Sequence, residues 1–180
     1  MKIILIIFLS ISLYADIKQD MFNLYQNKKY EDVCNVGFNN FKHYRQDESY
    51  ISLYAFSCLN ADYIDRLSIP IAMLKFSEES RANSAYFSII LMQKKLLYHA
   101  LIDNYDISIL NLPTTDYVLS KVFDLYAKLN LKEKRAFYLF EDSNDKKLTY
   151  KLYLVKDSRL SKIVIEEYYD SVSIKRHVYW

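Results

Sequence analysis

The stretch Leu148-Thr149-Tyr150-Lys151-Leu152-Tyr153-Leu154-Val155 decides the fold class. Leu148, Tyr150, Leu152 and Leu154 alternate with Thr149, Lys151, Tyr153 and Val155, the two-residue period of a strand with one buried face. Ser143-Asn144-Asp145 before it is turn-forming, and Ala136 to Glu141 reads as a preceding strand. On the other side Asp157-Ser158-Arg159 turns the chain, and Ile163 and Ile165 face one way from a third strand. In a fourth, Val172, Ile174, Arg176, Val178 and Trp180 alternate with Ser173, Lys175, His177 and Tyr179. Residues 135–180 are therefore expected to form a small antiparallel sheet, which needs another layer against its greasy face.

Residues 16–130 supply that layer. Their apolar residues recur at three- and four-residue spacing, predicting helices near 16–27, 30–44, 48–60, 63–79 and 83–103. Asn83 or Ser84 is the expected cap of the long helix, and after Leu112-Pro113 a last helix carries Val118, Val122, Leu125, Tyr126 and Leu129 on one stripe. The fold class is α+β, with both parts in one compact body.

An internal repeat lies in the helical part. Asn27-Lys28-Lys29-Tyr30-Glu31-Asp32 aligns with Asn60-Ala61-Asp62-Tyr63-Ile64-Asp65 at an offset of 33, placing Val36 against Ile69 and Gly37 against Pro70. Over residues 16–80 the chain loosely resembles the tetratricopeptide-repeat (TPR) family. Ala55 matches the family's small residue in the first helix, whereas Met21 does not, and Val33 replaces its alanine in the second. The resemblance implies antiparallel helical hairpins that scaffold peptide or protein binding.

Cys34 and Cys58 fall on the second and third helices. A hairpin about the loop near Gln46 brings them to one level, on stripes with Tyr30, Gly37 and Phe41 and with Ile51 and Ala55. Two readings stand at this stage: a disulfide, or two small buried apolar side chains.

Residues 1–15 (MKIILIIFLSISLYA) hold one cation, Lys2, an apolar run and a small residue at Ala15. This is the layout of a secretory signal peptide. An uncleaved anchor or a plain N-terminal helix is the alternative, and Leu13 is larger than the residue favoured at that place. Once Lys2 is removed, the 24 Lys and Arg fall to 23 against 22 Asp and Glu. That near-neutral balance argues against a nucleic-acid partner. No second apolar run reaches membrane length, so no integral span is expected after signal removal, and the expected location is the periplasm or outside the cell.

Gly37 is the single glycine, which excludes glycine-rich phosphate loops and dinucleotide fingerprints. The 18 tyrosines are spread along the whole chain, as biased codon usage would spread them. His43, His99 and His177 have no local nucleophile–base arrangement, and no His or further Cys stands at metal-ligand spacing. No cofactor, metal or catalytic residue is assigned. Ser143 to Lys146 has a Ser-x-x-Lys spacing but sits in a hairpin turn, and Glu78-Glu79 and Glu166-Glu167 read as solvated faces.

Surface recognition is what remains. On a TPR-like pair, Tyr50, Tyr54 and Ser57 are expected in a groove, with Lys94 and Lys95 further along; packing of Tyr54 in the core is the equal alternative. The basic end of the chain, with Arg176 and the only tryptophan, Trp180, is the second binding candidate, suited to an acidic partner. The expected function is a non-catalytic scaffold or adaptor binding another envelope protein or peptide. The rivals are an enzyme with a site assembled from distant residues, marked by a polar pocket holding His99 or His177 beside a carboxylate, and a carrier with an apolar cavity between helices and sheet.

Overall fold

A computed structural model of the chain describes residues 17–129, 135–156 and 159–180. The expected signal segment 1–15 lies outside the described residues, as do the boundary at 130–134 and the turn residues Asp157 and Ser158. The fold is α+β. Six helices come first: α1 (Ile17–Gln26), α2 (Tyr30–Asn40), α3 (Glu48–Asn60), α4 (Ser68–Met73), α5 (Glu78–Asp103) and α6 (Val118–Ala127). An antiparallel sheet follows in the order β1 (Phe137–Glu141), β2 (Leu148–Lys156), β3 (Ser161–Tyr169), β4 (Val172–Tyr179). No helix among the described residues is long and apolar enough to cross a membrane.

The tightest helical contact is α2 on α3. Cys34 and Cys58 form a disulfide there with Cα atoms 4.8 Å apart. A cross-link at this sequence separation contributes on the order of 3 kcal/mol by limiting the unfolded chain. Gly37 sits one turn further along α2, directly over Tyr54. A Cβ added to it would lie 2.6 Å from the Cβ and Cγ of that tyrosine. The lone glycine thus sets how closely the two helices approach.

The backbone repeats, but at a different offset from the side-chain pattern. Lys28 and Asp62 both take left-handed φ, at 58° and 64°. The residues after them, Lys29 and Tyr63, share nearly one conformation, φ −81°, ψ 57° and φ −85°, ψ 57°. The spacing is 34, so Tyr30 and Tyr63 stand one residue out of step.

The helix expected over 63–79 is divided. A 3₁₀ turn covers Ile64–Leu67 and α4 ends at Met73. Pro70 fits the division, because a proline is tolerated in the first turn of a helix, where its missing N–H has no intrahelical partner to lose, so α4 starts afresh at Ser68. The loop that follows is held by Glu48, whose carboxylate accepts from the main-chain N–H groups of Lys75, Phe76 and Ser77 at 3.1, 2.7 and 3.0 Å. The long helix α5 accordingly starts earlier than expected, capped by Ser77 and not by Asn83 or Ser84. Helix α2 stops at Asn40, leaving His43 in the turns beyond it.

In the sheet, Tyr138 pairs with Leu152, Leu152 with Ile165, and Ile165 with His177. This row and its inward neighbours Phe140, Tyr150, Ile163 and Tyr179 are buried in one core with α3, α5 and α6. Tyr126 of α6 meets Tyr138 edge-on at 5.1 Å. Between β3 and β4 the register slips: Glu167 pairs with Lys175 and Tyr168 with Ser173, leaving Ile174 as a bulged residue.

Candidate functional site

Asp62 terminates α3 in the left-handed conformation, where Tyr63 N–H donates to Cys58 carbonyl at 2.8 Å. That backbone turn carries its carboxylate to the sheet. His177 on β4 donates from Nδ1 to Asp62 Oδ1 at 2.7 Å and from Nε2 to Glu167 Oε1 of β3 at 2.9 Å. The single hydroxyl proton of Tyr117, at the start of α6, is shared between the same Asp62 oxygen at 2.9 Å and Leu59 carbonyl at 3.1 Å; Tyr179 donates to Tyr117 at 3.2 Å. One polar cluster therefore joins α3, α6, β3 and β4.

Both ring nitrogens of His177 face carboxylates, so the protonated ring, with a hydrogen on each nitrogen, is the form that satisfies both. Burial pushes its pKa down, but the hydrogen bonds to Asp62 and Glu167 outweigh burial and raise it above 6.5. Burial also holds the Tyr117 and Tyr179 hydroxyls well above their ordinary 10.0. In that form His177 has no free lone pair with which to accept a proton. Its chemistry here is electrostatic attachment.

Beside this cluster opens a cleft of about 380 Å³ between helices and sheet, lined by Tyr86, Asp116, Lys121, Tyr150, Lys175 and His177 among others. Its polar groups are largely committed to one another. Tyr86 donates to Asp116 at 2.8 Å, Tyr150 to Asp142 at 2.5 Å, and Lys121 lies 3.3 Å from Asp142. The cleft has the His-beside-carboxylate arrangement that marks the enzymatic alternative, with the histidine already occupied. The apolar carrier is not favoured by this predominantly polar lining.

The groove residues require correction. Tyr50, Tyr54 and Ser57 are fully buried. Tyr50 donates to Val36 carbonyl at 3.3 Å, Tyr54 to Arg66 carbonyl at 3.1 Å and Ser57 to Leu53 carbonyl at 2.6 Å. Helix α3 packs against α1, α2, α4 and α5, which cover the face that carries Tyr50, Tyr54 and Ser57. Its sequence carries the warning: apolar residues occur all round it, the mark of a buried helix. Lys94 is also buried, bonded to Asp65 Oδ2 at 2.9 Å and to the main-chain oxygen of Trp180. Burial lowers its pKa against the opposing pull of Asp65. It ties α5 to the end of β4. Lys95 is exposed but pairs with Asp65 Oδ1 at 2.7 Å.

The second candidate does reach the surface. Every residue from Val172 to Arg176 is exposed, and Val172, Ile174 and Trp180 stand 65, 56 and 54% open to solvent. Arg176 lies on the solvent face of the sheet, its Nε 3.7 Å from Glu166, which also accepts from Tyr153 and Tyr168 at 2.9 and 2.7 Å. The structure leaves Arg176 and Trp180 exposed on and just after β4, and puts the former groove residues in the core. Sequence reasoning missed Asp62 and Glu167 as partners of His177; His177 alternating inward with Tyr179 was the available signal.

Compared with protein-family models, with curated proteins and with solved structures, the chain matches none.

Proposed function

We propose that this protein is an exported, non-catalytic interaction module that binds another envelope protein or peptide through the exposed side chains of β4 and the residue after it. One observation carries the reading: Val172, Ile174 and Trp180 are large apolar side chains left open to solvent along β4 and at the residue after it, with exposed Arg176 between Ile174 and Trp180 in sequence. Aromatic and apolar anchors with a cation among them are the composition of a protein-contact surface, here suited to an acidic partner. The signal-like residues 1–15 and the disulfide support export to an oxidising compartment. The TPR-like pattern of residues 16–80 supports a scaffold, its helices serving to hold the sheet in place.

Photo-crosslinking from position 172 in intact cells, compared between the native chain and the Ile174→Thr, Arg176→Thr double variant, tests this. A discrete cross-linked partner that the variant loses supports the module. Undiminished capture by a folded variant removes β4 from the contact. The Tyr50 and Tyr54 side chains are unsuitable for such a test, since truncating either opens the core.

A further inference from the structure

The two edge strands of the sheet are protected differently. On β4 a bulge at Ile174 interrupts the ladder, and Lys175 and Arg176 follow it. Bulges and cations are the usual means of discouraging a further strand. On β1 neither is present: Phe137 to Glu141 pair with Tyr153 to Thr149 in unbroken register, and the strand has no Lys, Arg or Pro. Among the described residues β1 has only β2 as a strand neighbour. Leu139 at its centre is 65% exposed and Phe137 48%.

We propose that β1 pairs antiparallel with β1 of a second copy of this chain about a twofold axis at Leu139, joining the two sheets into one of eight strands. The order of side chains makes the strand complementary to itself. With Leu139 opposite its own equivalent, Tyr138 meets Phe140 of the second copy on the core side, and Glu141 meets Phe137 on the solvent side. Lys151 stands over that row, its Nζ 5.3 Å from the ring centres of both Phe137 and Tyr153. The arriving Glu141 carboxylate therefore comes down beside an ammonium group. Glu141 has no hydrogen bond or ion pair to another side chain among the described residues, and the twofold axis makes the Glu141–Lys151 pairing twice. An isologous contact of this kind closes at two copies and leaves β1 with no free edge. Five residues per strand bury less than a standard interface, which puts the affinity in the micromolar range.

Sedimentation equilibrium of the purified protein tests the pairing. The native chain is expected to show a monomer–dimer equilibrium with Kd of roughly 1–100 μM. Leu139→Lys, which sets two cations on the axis, is expected to weaken it at least about tenfold. Glu141→Lys and Lys151→Glu should each weaken it too, and mixing these two single variants should restore dimers, because each pair then regains opposite charges. Circular dichroism confirms that each variant is folded before mixing. A native chain that stays monomeric at several hundred micromolar overturns the proposal, as would be seen if this edge instead took a strand from a different protein. A dimer indifferent to all three substitutions, or folded variants that fail to recover on mixing, overturns it as well.

Discussion

Gly37 marks the place where α2 and α3 come closest, and its missing Cβ is what Tyr54 occupies. In an isolated helix Ala at this position would gain about 1 kcal/mol over Gly. Here the added methyl strikes the root of the tyrosine side chain, which has no freedom to swing away, and overpacking of this kind costs about 1–3 kcal/mol. The disulfide one helical turn earlier prevents the helices from separating to relieve it. Gly37→Ala is therefore expected to destabilise by up to about 2 kcal/mol net. That is a fall of up to several degrees in Tm for a chain of this size, measured by thermal unfolding under non-reducing conditions. An unchanged or raised Tm would mean that the hairpin is looser than the structure has it. The sequence contained the glycine and the stripe it shares with Cys34. It could not show that Tyr54 fills the gap, because two aromatic faces of α3 were equally apolar and only packing chose between core and groove.

At the scale of elements, the β3–β4 hairpin turns through Asp170 and Ser171, both left-handed, with φ of 47° and 70°. That is the pattern of a two-residue turn whose twist matches antiparallel strands, and it favours Asn or Gly at both places. Serine there carries a Cβ in a region that L residues avoid, costing about 1 kcal/mol. Ser171→Gly is expected to stabilise the protein by about 0.5–1 kcal/mol, read as a shift in the denaturant midpoint at constant slope. A destabilised variant would contradict the left-handed geometry. Helix and strand identity were legible throughout, since the 3.6- and 2-residue periods survive in the sequence. Boundaries were less so. Pro70 cut one expected helix and Ser77 began the next earlier, both through local hydrogen-bonding rules that apolar spacing does not report.

For the whole molecule, the join between helices and sheet is polar as well as apolar, and His177 is its charged centre. The groups facing it are Asp62 from the end of α3, Glu167 from β3, Tyr117 from the start of α6, and Tyr179 and Lys175 from β4. The two tyrosines stay uncharged across the neutral range, and Lys175 opposes protonation. Because the folded pKa of His177 is raised above 6.5, its contribution is fully present below that value. It is lost as pH rises through the folded pKa, when one carboxylate is left without its donor. Melting temperature is expected to fall in the native chain over the window that opens at about pH 6.5 and closes above the raised folded pKa. A His177→Gln variant should be less stable below that window and lack most of its slope. The same slope in the variant would assign the pH dependence to other groups.

The amino-acid order by itself determined that this is an α+β chain, that helices precede a four-stranded sheet, and that its two cysteines share a level. These follow from periodicity and spacing, which act over a few residues and survive in any one-dimensional record. Tertiary structure alone decided which aromatic residues are core, which row of β4 faces inward, and that Asp62 meets His177 across 115 residues. Such contacts depend on how whole layers close over one another. Burial and pairing across that closure are set by the full set of neighbours and not by any local pattern.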